Sequence, residues 1–363
     1  MNWVRIFTYI PYAFFALTMA TFVIPLKLKV RAQAIWSMAL LVCFSKFLCF
    51  AAFGGHAFNP DLPAAIIWTW DWLYSGAMIL SALSLLTLLF RFRAKVWVLP
   101  IVAWGMATWG LYNGVRAPGI REVELKFADL PPALDGYRIV QLSDLHCSSA
   151  ARRWRTQAIV DAANALKPDL ICLTGDLADG QASRIERHLE PIKELTARDG
   201  VFACTGNHEY YADYLGWMTH FYAKVKNIRF LTNACAFPHP GLAVAGVPDT
   251  AGFQKGLDAP PDVRGAFAAA TNGEFRVLLQ HQPKFARENV REVGVNLQLS
   301  GHVHGGIAPG FRQFIGCFNA GFTRGIYRLD DAVLYVSPGC GQWAGFPMRF
   351  FNDSEVALIT LRR

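Results

Sequence analysis

The stretch Gly301-His302-Val303-His304-Gly305-Gly306 follows the alternating apolar residues Val295, Leu297 and Leu299. An apolar strand that ends in glycine and then presents two imidazoles two residues apart predicts both rings on one side, because side chains on extended backbone alternate with period 2. One short loop of this kind can offer nitrogen to two neighbouring cations. A His-x-His pair also serves as an ordinary polar loop, so a metal reading requires oxygen ligands from elsewhere in the chain.

Outward from this stretch, short apolar runs at 138–142, 170–173, 201–204, 242–245, 275–279, 297–300, 333–336 and 356–359 read as strands. Ile159, Val160, Ala163 and Leu166 mark one face of a helix between the first two. Ser183 with Glu186 reads as a capping box opening the next helix, and Pro191 as a kink in it. Alternating strands and helices predict layered α/β packing around a largely buried sheet. The oxygen ligands then appear just past strand ends, in Ser143-Asp144-Leu145-His146, Gly175-Asp176-Leu177-Ala178-Asp179 and Gly206-Asn207-His208-Glu209, with His281-Gln282-Pro283 after the fifth strand. Loops at the carboxyl ends of such strands converge on one crevice, so residues distant in sequence meet there.

Charge and hydropathy separate this region from the one before it. Residues 1–120 hold nine of the 35 Lys/Arg and only two of the 27 Asp/Glu, Asp61 and Asp71, leaving 26 basic and 25 acidic residues beyond. The net charge of +8 is thus nearly all membrane-flanking, which excludes a nucleic-acid binder with a basic folded domain. Apolar stretches at 6–26, 32–53, 64–90 and 96–112 read as four transmembrane helices. A cleaved signal peptide is disfavoured, since no small-residue cleavage site follows the first run and three more runs come after it. Lys27, Lys29 and Arg31, and then Arg91, Arg93 and Lys95, place two short loops in the cytoplasm. Everything after the fourth span is then extracytoplasmic. Lys46 and Asp71 fall at similar depth in adjacent spans and are expected to pair. The expected domains are a membrane domain at 1–115 and a catalytic domain at 120–363. Eight cysteines without C-x-x-C spacing suggest neither a zinc ribbon nor a redox motif.

The ordered motifs Asp144-x-His146, Gly175-Asp176-x-x-Asp179, Gly206-Asn207-His208-Glu209, the lone His281 and Gly301-His302-x-His304 resemble those of the calcineurin-like metallophosphoesterase family. The approach at Leu130-Pro131-Pro132 and Leu134-Asp135-Gly136-Tyr137 is most similar to its membrane-anchored or exported bacterial branch. The resemblance covers 122 to the C-terminus and implies a four-layer α/β sandwich. It implies Asp144, His146, Asp176 and His304 around one metal and Asp176, Asn207, His281 and His302 around the other, with Asp176 bridging. Two such cations make a bridging water a hydroxide near neutral pH and clamp phosphoryl oxygens during in-line attack. The mixed N/O set suits Mn, Fe or Zn. Cys147 is expected to point away from the ligands on extended backbone. His208 is expected to protonate the leaving oxygen or stabilise its charge, with Asp179 holding its ring. Arg324 and Arg349 are either phosphate grips or structural, and Tyr210, Tyr211 and Trp343 either line a pocket or are simply buried. His56, His188, His220 and His239 match no motif.

These features lead to a membrane-anchored metal-dependent phosphoric ester hydrolase in a bacterial inner or cell membrane. Its substrate is a phosphodiester, phosphomonoester or pyrophosphate, and a lipid-linked or envelope ester fits the tether. A soluble-nucleotide or cyclic-nucleotide phosphodiesterase is the alternative among enzymes. A membrane receptor that binds ligand without turnover is the alternative outside them.

Overall fold

The computed structural model describes residues 3–91, 97–306, 309–343 and 345–363. They form a helical unit that runs to Gly114 and includes residues 345–348, and a larger unit of Val115–Trp343 with Arg349–Arg363.

In the helical unit, Trp3–Thr18 continues through single turns at Met19–Val23 and Ile24–Leu26. Val30–Phe44 and Lys46–Gly54 meet at a 55° bend, and Ala64–Leu89 and Val98–Val115 follow. By length and composition, Tyr9–Leu26 and Ala64–Leu89 can each cross a membrane, and the bent pair makes a third span if taken as one. Val98–Val115, the fourth expected span, is not among them. Arg93 and Lys95 of the second expected cytoplasmic loop lie outside the described residues. Phe22, Leu40, Phe44, Phe47, Tyr74 and Leu80 pack the interior of the unit. The expected ion pair is present: Lys46 Nζ lies 2.7 Å from Asp71 Oδ1, with both side chains buried. The same ammonium sits 5.0, 5.5 and 5.3 Å from the rings of Phe47, Phe50 and Tyr74, where the electron-rich ring faces attract a cation.

The larger unit holds two six-stranded sheets. In chain order the strands are β1 (Gly119–Lys126), β2 (Arg138–Leu142), β3 (Leu170–Thr174), β4 (Val201–Cys204), β5 (Ile228–Phe230), β6 (Ala234–His239), β7 (Leu242–Gly246), β8 (Phe275–Leu279), β9 (Leu297–Ser300), β10 (Gly325–Leu329), β11 (Ala332–Val336) and β12 (Glu355–Arg362). The first sheet runs β1-β12-β2-β3-β4-β5 and the second β10-β11-β9-β8-β7-β6. Ile139, Cys172 and Phe202 of the first sheet and Val244, Val277, Leu299 and Tyr335 of the second share one apolar core between them. The outer face of the first sheet packs Val140, Leu142 and Ile171 against Ile159, Val160 and Ala163 of helix Arg153–Ala165. The outer face of the second packs Ala243, Ala245 and Leu278 against Phe267 and Val295. The architecture is the expected four-layer α/β sandwich.

All eight expected strands are present. The four that went unread, β1, β5, β6 and β10, are the four sheet edges. Only Val123 and Leu125 of β1 are buried, so an edge lacks the continuous apolar run that marks an interior strand. The expected capping box fails. Helix Ala182–Leu189 starts after Gln181, and the Ala182 N–H donates instead to Asp213 Oδ2 at 2.9 Å. Pro191 kinks nothing; it sits in the separate turn Glu190–Glu194, where its missing N–H costs no helical bond.

Candidate metal centre

β2, β3 and β4 are parallel neighbours, and so are β8 and β9, so the loops after each group leave the same end of their sheet. Gln141 Nε2 donates across the layers to the Ser300 carbonyl at 3.0 Å, next to where both groups of loops begin. The loops are then stitched together: Asp144 N donates to Gly175 O, His146 N to Asp176 O and Gly301 N to His281 O, each at 3.0 Å.

The backbone there is not extended. Asp144, His146, Asp176, His302 and His304 have φ of 51°, 45°, 53°, 73° and 45°. This left-handed conformation costs a non-glycine residue roughly 1–2 kcal/mol and persists only where the surroundings impose it. The two histidines therefore do not owe their common direction to strand alternation, and that expectation is corrected. Nor is His146 extended beside Cys147. The thiol lies in the apolar core and accepts from Thr156 Oγ1 at 3.6 Å, away from the ligands as expected but for a different reason.

The side chains fall into two donor clusters. In one, His146 Nε2 lies 3.1 Å from His304 Nε2 and 3.9 Å from Asp144 Oδ1, and His304 Nε2 lies 3.6 Å from the same Asp144 oxygen. In the other, His281 Nε2 is 3.1 Å from Asp176 Oδ2, and His302 Nδ1 is 2.8 Å from Asn207 Oδ1. Asp176, His281 and His302 converge on one point there. Asp176 belongs to both clusters, since its Oδ2 is also 3.8 Å from His146 Nε2.

The imidazoles are oriented from behind. His281 Nδ1 donates to the Thr174 carbonyl at 2.7 Å, leaving Nε2 for the site. That Nε2 is buried and faces Asp176 Oδ2 at 3.1 Å. A buried imidazole nitrogen beside carboxylate and amide oxygens, with no thiolate, fits a hard or borderline divalent cation. Asp179, almost fully buried rather than solvated, accepts from His146 Nδ1 at 3.0 Å and from His208 Nδ1 at 2.5 Å. One carboxylate thus holds a ring in the first cluster and the ring beside it.

Electrostatics divide the histidines. Burial, and then the charge of His281, push His302 down to about 3, and burial with the charge of His146 pushes His304 well below its usual value. Both rings are thereby held neutral. Burial works against a charged His208, but the carboxylates of Asp179 and Asp176 outweigh it and raise the ring to about 9. Burial also opposes ionisation of Asp176, which the charges of His281 and His208 overcome, holding it well below the ordinary carboxylate range.

Sequence reasoning missed the groups that hold the loops. Glu209 accepts three backbone N–H bonds, from Asp176 at 3.0 Å, Leu177 at 2.7 Å and Gly206 at 2.7 Å. Its position beside His208 was the available signal. Asn352 donates to the His304 carbonyl and accepts from Arg324 Nη1 at 2.8 Å. No local pattern points to a residue 48 positions away. Arg349 is structural: its guanidinium donates to the carbonyls of Pro338 at 2.8 Å, Gly341 at 2.7 Å and Asn352 at 3.3 Å. Tyr210 is buried on Thr205 and Asp258, whereas the rings of Tyr211 and Trp343 stand 5.2 and 5.8 Å from His208. His56, His188, His220 and His239 are exposed or half-buried and join none of the clusters.

A four-layer sandwich with two donor clusters joined by one carboxylate defines a dimetal phosphoesterase class of domain. Residues 137–306 match the family model described as calcineurin-like phosphoesterase, and the chain carries a domain of that family. A Danio rerio protein named transmembrane protein with metallophosphoesterase domain is 33% identical over 280 residues, covering 75% of this chain and 63% of its own length. Its Bos taurus namesake is 30% identical over 70% of this chain and 59% of its own. An uncharacterized metallophosphoesterase of Helicobacter pylori is 30% identical over 69% of this chain and 66% of its own. The chain therefore spans just under two thirds of the length of these relatives.

Proposed function

We propose that the protein is a membrane-anchored, two-metal phosphoesterase. Asp144, His146, His304 and Asp176 hold one divalent cation, and Asp176, Asn207, His281 and His302 the other. The shared Asp176 carboxylate carries this reading, because two neighbouring cations need a common anion to offset their repulsion. When bound, the metals supply Lewis acidity toward the phosphoryl oxygens and acidify a coordinated water. The chain's own residues do the rest. His302 and His304 stay neutral and donate nitrogen; His208, kept cationic by Asp179, gives its proton to the departing oxygen. The family match and the name of the Danio rerio relative support both halves of the reading.

The bond cut is a phosphodiester, phosphomonoester or pyrophosphate, and the substrate is lipid-linked or part of the envelope. In this reading Val98–Val115 crosses a bacterial inner or cell membrane as a fourth span after the three candidate ones, and with the 27–31 loop in the cytoplasm it is this fourth crossing that puts the catalytic unit outside. Metal analysis with hydrolysis assays on the three ester classes, comparing wild type with Asp176→Asn and His208→Asn, tests the chemistry. Two metals and turnover in wild type are expected, with a metal lost from Asp176→Asn and turnover lost from His208→Asn. Fewer than two metals in wild type, or variants that hydrolyse as well as it does, overturns the reading. A C-terminal reporter active only in the cytoplasm overturns the sidedness.

A further inference from the structure

Directly beyond the metal loop, helix Pro309–Cys317 exposes aromatic side chains that a folded domain would ordinarily cover. Phe311, Phe314 and Phe318 are 50%, 60% and 60% exposed. Their spacing of three and four residues puts them on one face, and the rings of Phe314 and Phe318 meet edge to face at 5.2 Å. An adjoining face is anchored. Ile315 packs on the cluster of Val303, Phe322 and Leu334, and Val303 is the residue between His302 and His304. Gly306 packs so closely on this helix that an added Cβ would lie 2.6 Å from Arg312 Cα. The helix that carries the exposed face is thus packed directly on the metal loop.

A cation borders the face: Arg312, on the same helix, is exposed and donates through Nε to Thr323 Oγ1 at 2.9 Å. Phenylalanine on one side and arginine at the rim is the composition of helices that lie in the headgroup region of a bilayer. The area argues against a second copy of the chain as the occupant. Three half-exposed aromatics, each of about 150–250 Å² in all, offer roughly 300 Å², far short of the about 800 Å² per partner in a stable interface. A bilayer sets no such threshold. Only residues 116–118 separate the last apolar helix from β1. For a chain so anchored, contact with the surface is intramolecular, and a small patch suffices.

We infer that helix Pro309–Cys317, with Phe318, docks on the bilayer surface through Phe311, Phe314 and Phe318 and sets the adjoining metal loop among anionic lipid headgroups. The inference rests on the membrane-anchored reading and not on which ester is cut. The test uses the full chain, one copy per nanodisc of phosphatidylcholine and phosphatidylglycerol, with Cys49, Cys235 and Cys317 replaced by serine. A nitroxide is placed by Phe314→Cys, or by Lys226→Cys in an exposed loop leading into β5, whose parallel pairing with β4 puts that loop at the sheet end opposite the centre. The label at 314 is expected to collide more with oxygen than with a water-soluble nickel chelate, and the label at 226 the reverse. Equal nickel access at the two positions overturns the inference. Protection at 314 that appears only with two chains per disc also overturns it, in favour of self-association. The readout needs no turnover. If the phosphoesterase reading fails while the depth profile holds, the docking surface stands alone.

Discussion

Asp179→Asn separates a positioning role from a merely structural one. Asp179 accepts from two imidazoles, one on each oxygen, at 3.0 Å from His146 and 2.5 Å from His208. Asparagine keeps the size and one acceptor oxygen, but its other end is a donor. Only one imidazole can keep its bond. If His146 loses it, the ring turns over its tautomer and carries a proton on Nε2, the atom facing His304 and Asp176. A disrupted partner behind a ligating histidine typically lowers metal affinity or activity about 10–100-fold. If His208 loses it, the ring loses the carboxylate that keeps it cationic, and general-acid assistance is worth about 10²–10⁴-fold. Turnover on a chromogenic phosphate diester should fall by at least about tenfold either way. Metal analysis tells the branches apart: a deficit marks His146, and full occupancy with a lost alkaline limb near the His208 value of about 9 marks His208. A variant with two metals, turnover within about threefold and an unchanged pH profile would refute the reasoning, since neither ring would then depend on Asp179.

Glu209→Gln should lower stability by about 1–3 kcal/mol in thermal unfolding, because an amide cannot accept all three buried N–H bonds that the carboxylate takes; a smaller loss would mean that the loops hold themselves. Gly206→Ala should deplete bound metal, since its Cβ would overlap the Asp176 carboxylate and backbone nitrogen, and no rotamer relieves a backbone clash. Unchanged metal content in that variant would show that the Asp176 loop can yield. In the helical unit, Lys46→Ala should cost about 3–5 kcal/mol by leaving a buried carboxylate unpaired, and Asp71→Ala should restore much of it. Unfolding in bicelles measures the cycle, and additive losses would show that the two charges act independently.

The sequence alone determined what local chemistry encodes. Interior strands are buried on both faces, so their apolar runs are continuous and all eight could be read. Asp144, Asp176, Asn207, His281, His302 and His304 each follow such a run, so the loops that carry them were legible as well. What the tertiary structure decided is everything that depends on a neighbour distant in the chain. The four edge strands take half their environment from solvent and form because a neighbouring strand offers them a ladder. The left-handed turns at His302 and His304 are imposed by contacts around them, including Asn352 on the His304 carbonyl, and no local preference for extended or helical backbone announces them. Asp179 shows the division most clearly. Its place in the motif tied it to His208, but its second bond, to His146, exists only because β2 and β3 lie side by side and bring their loops together.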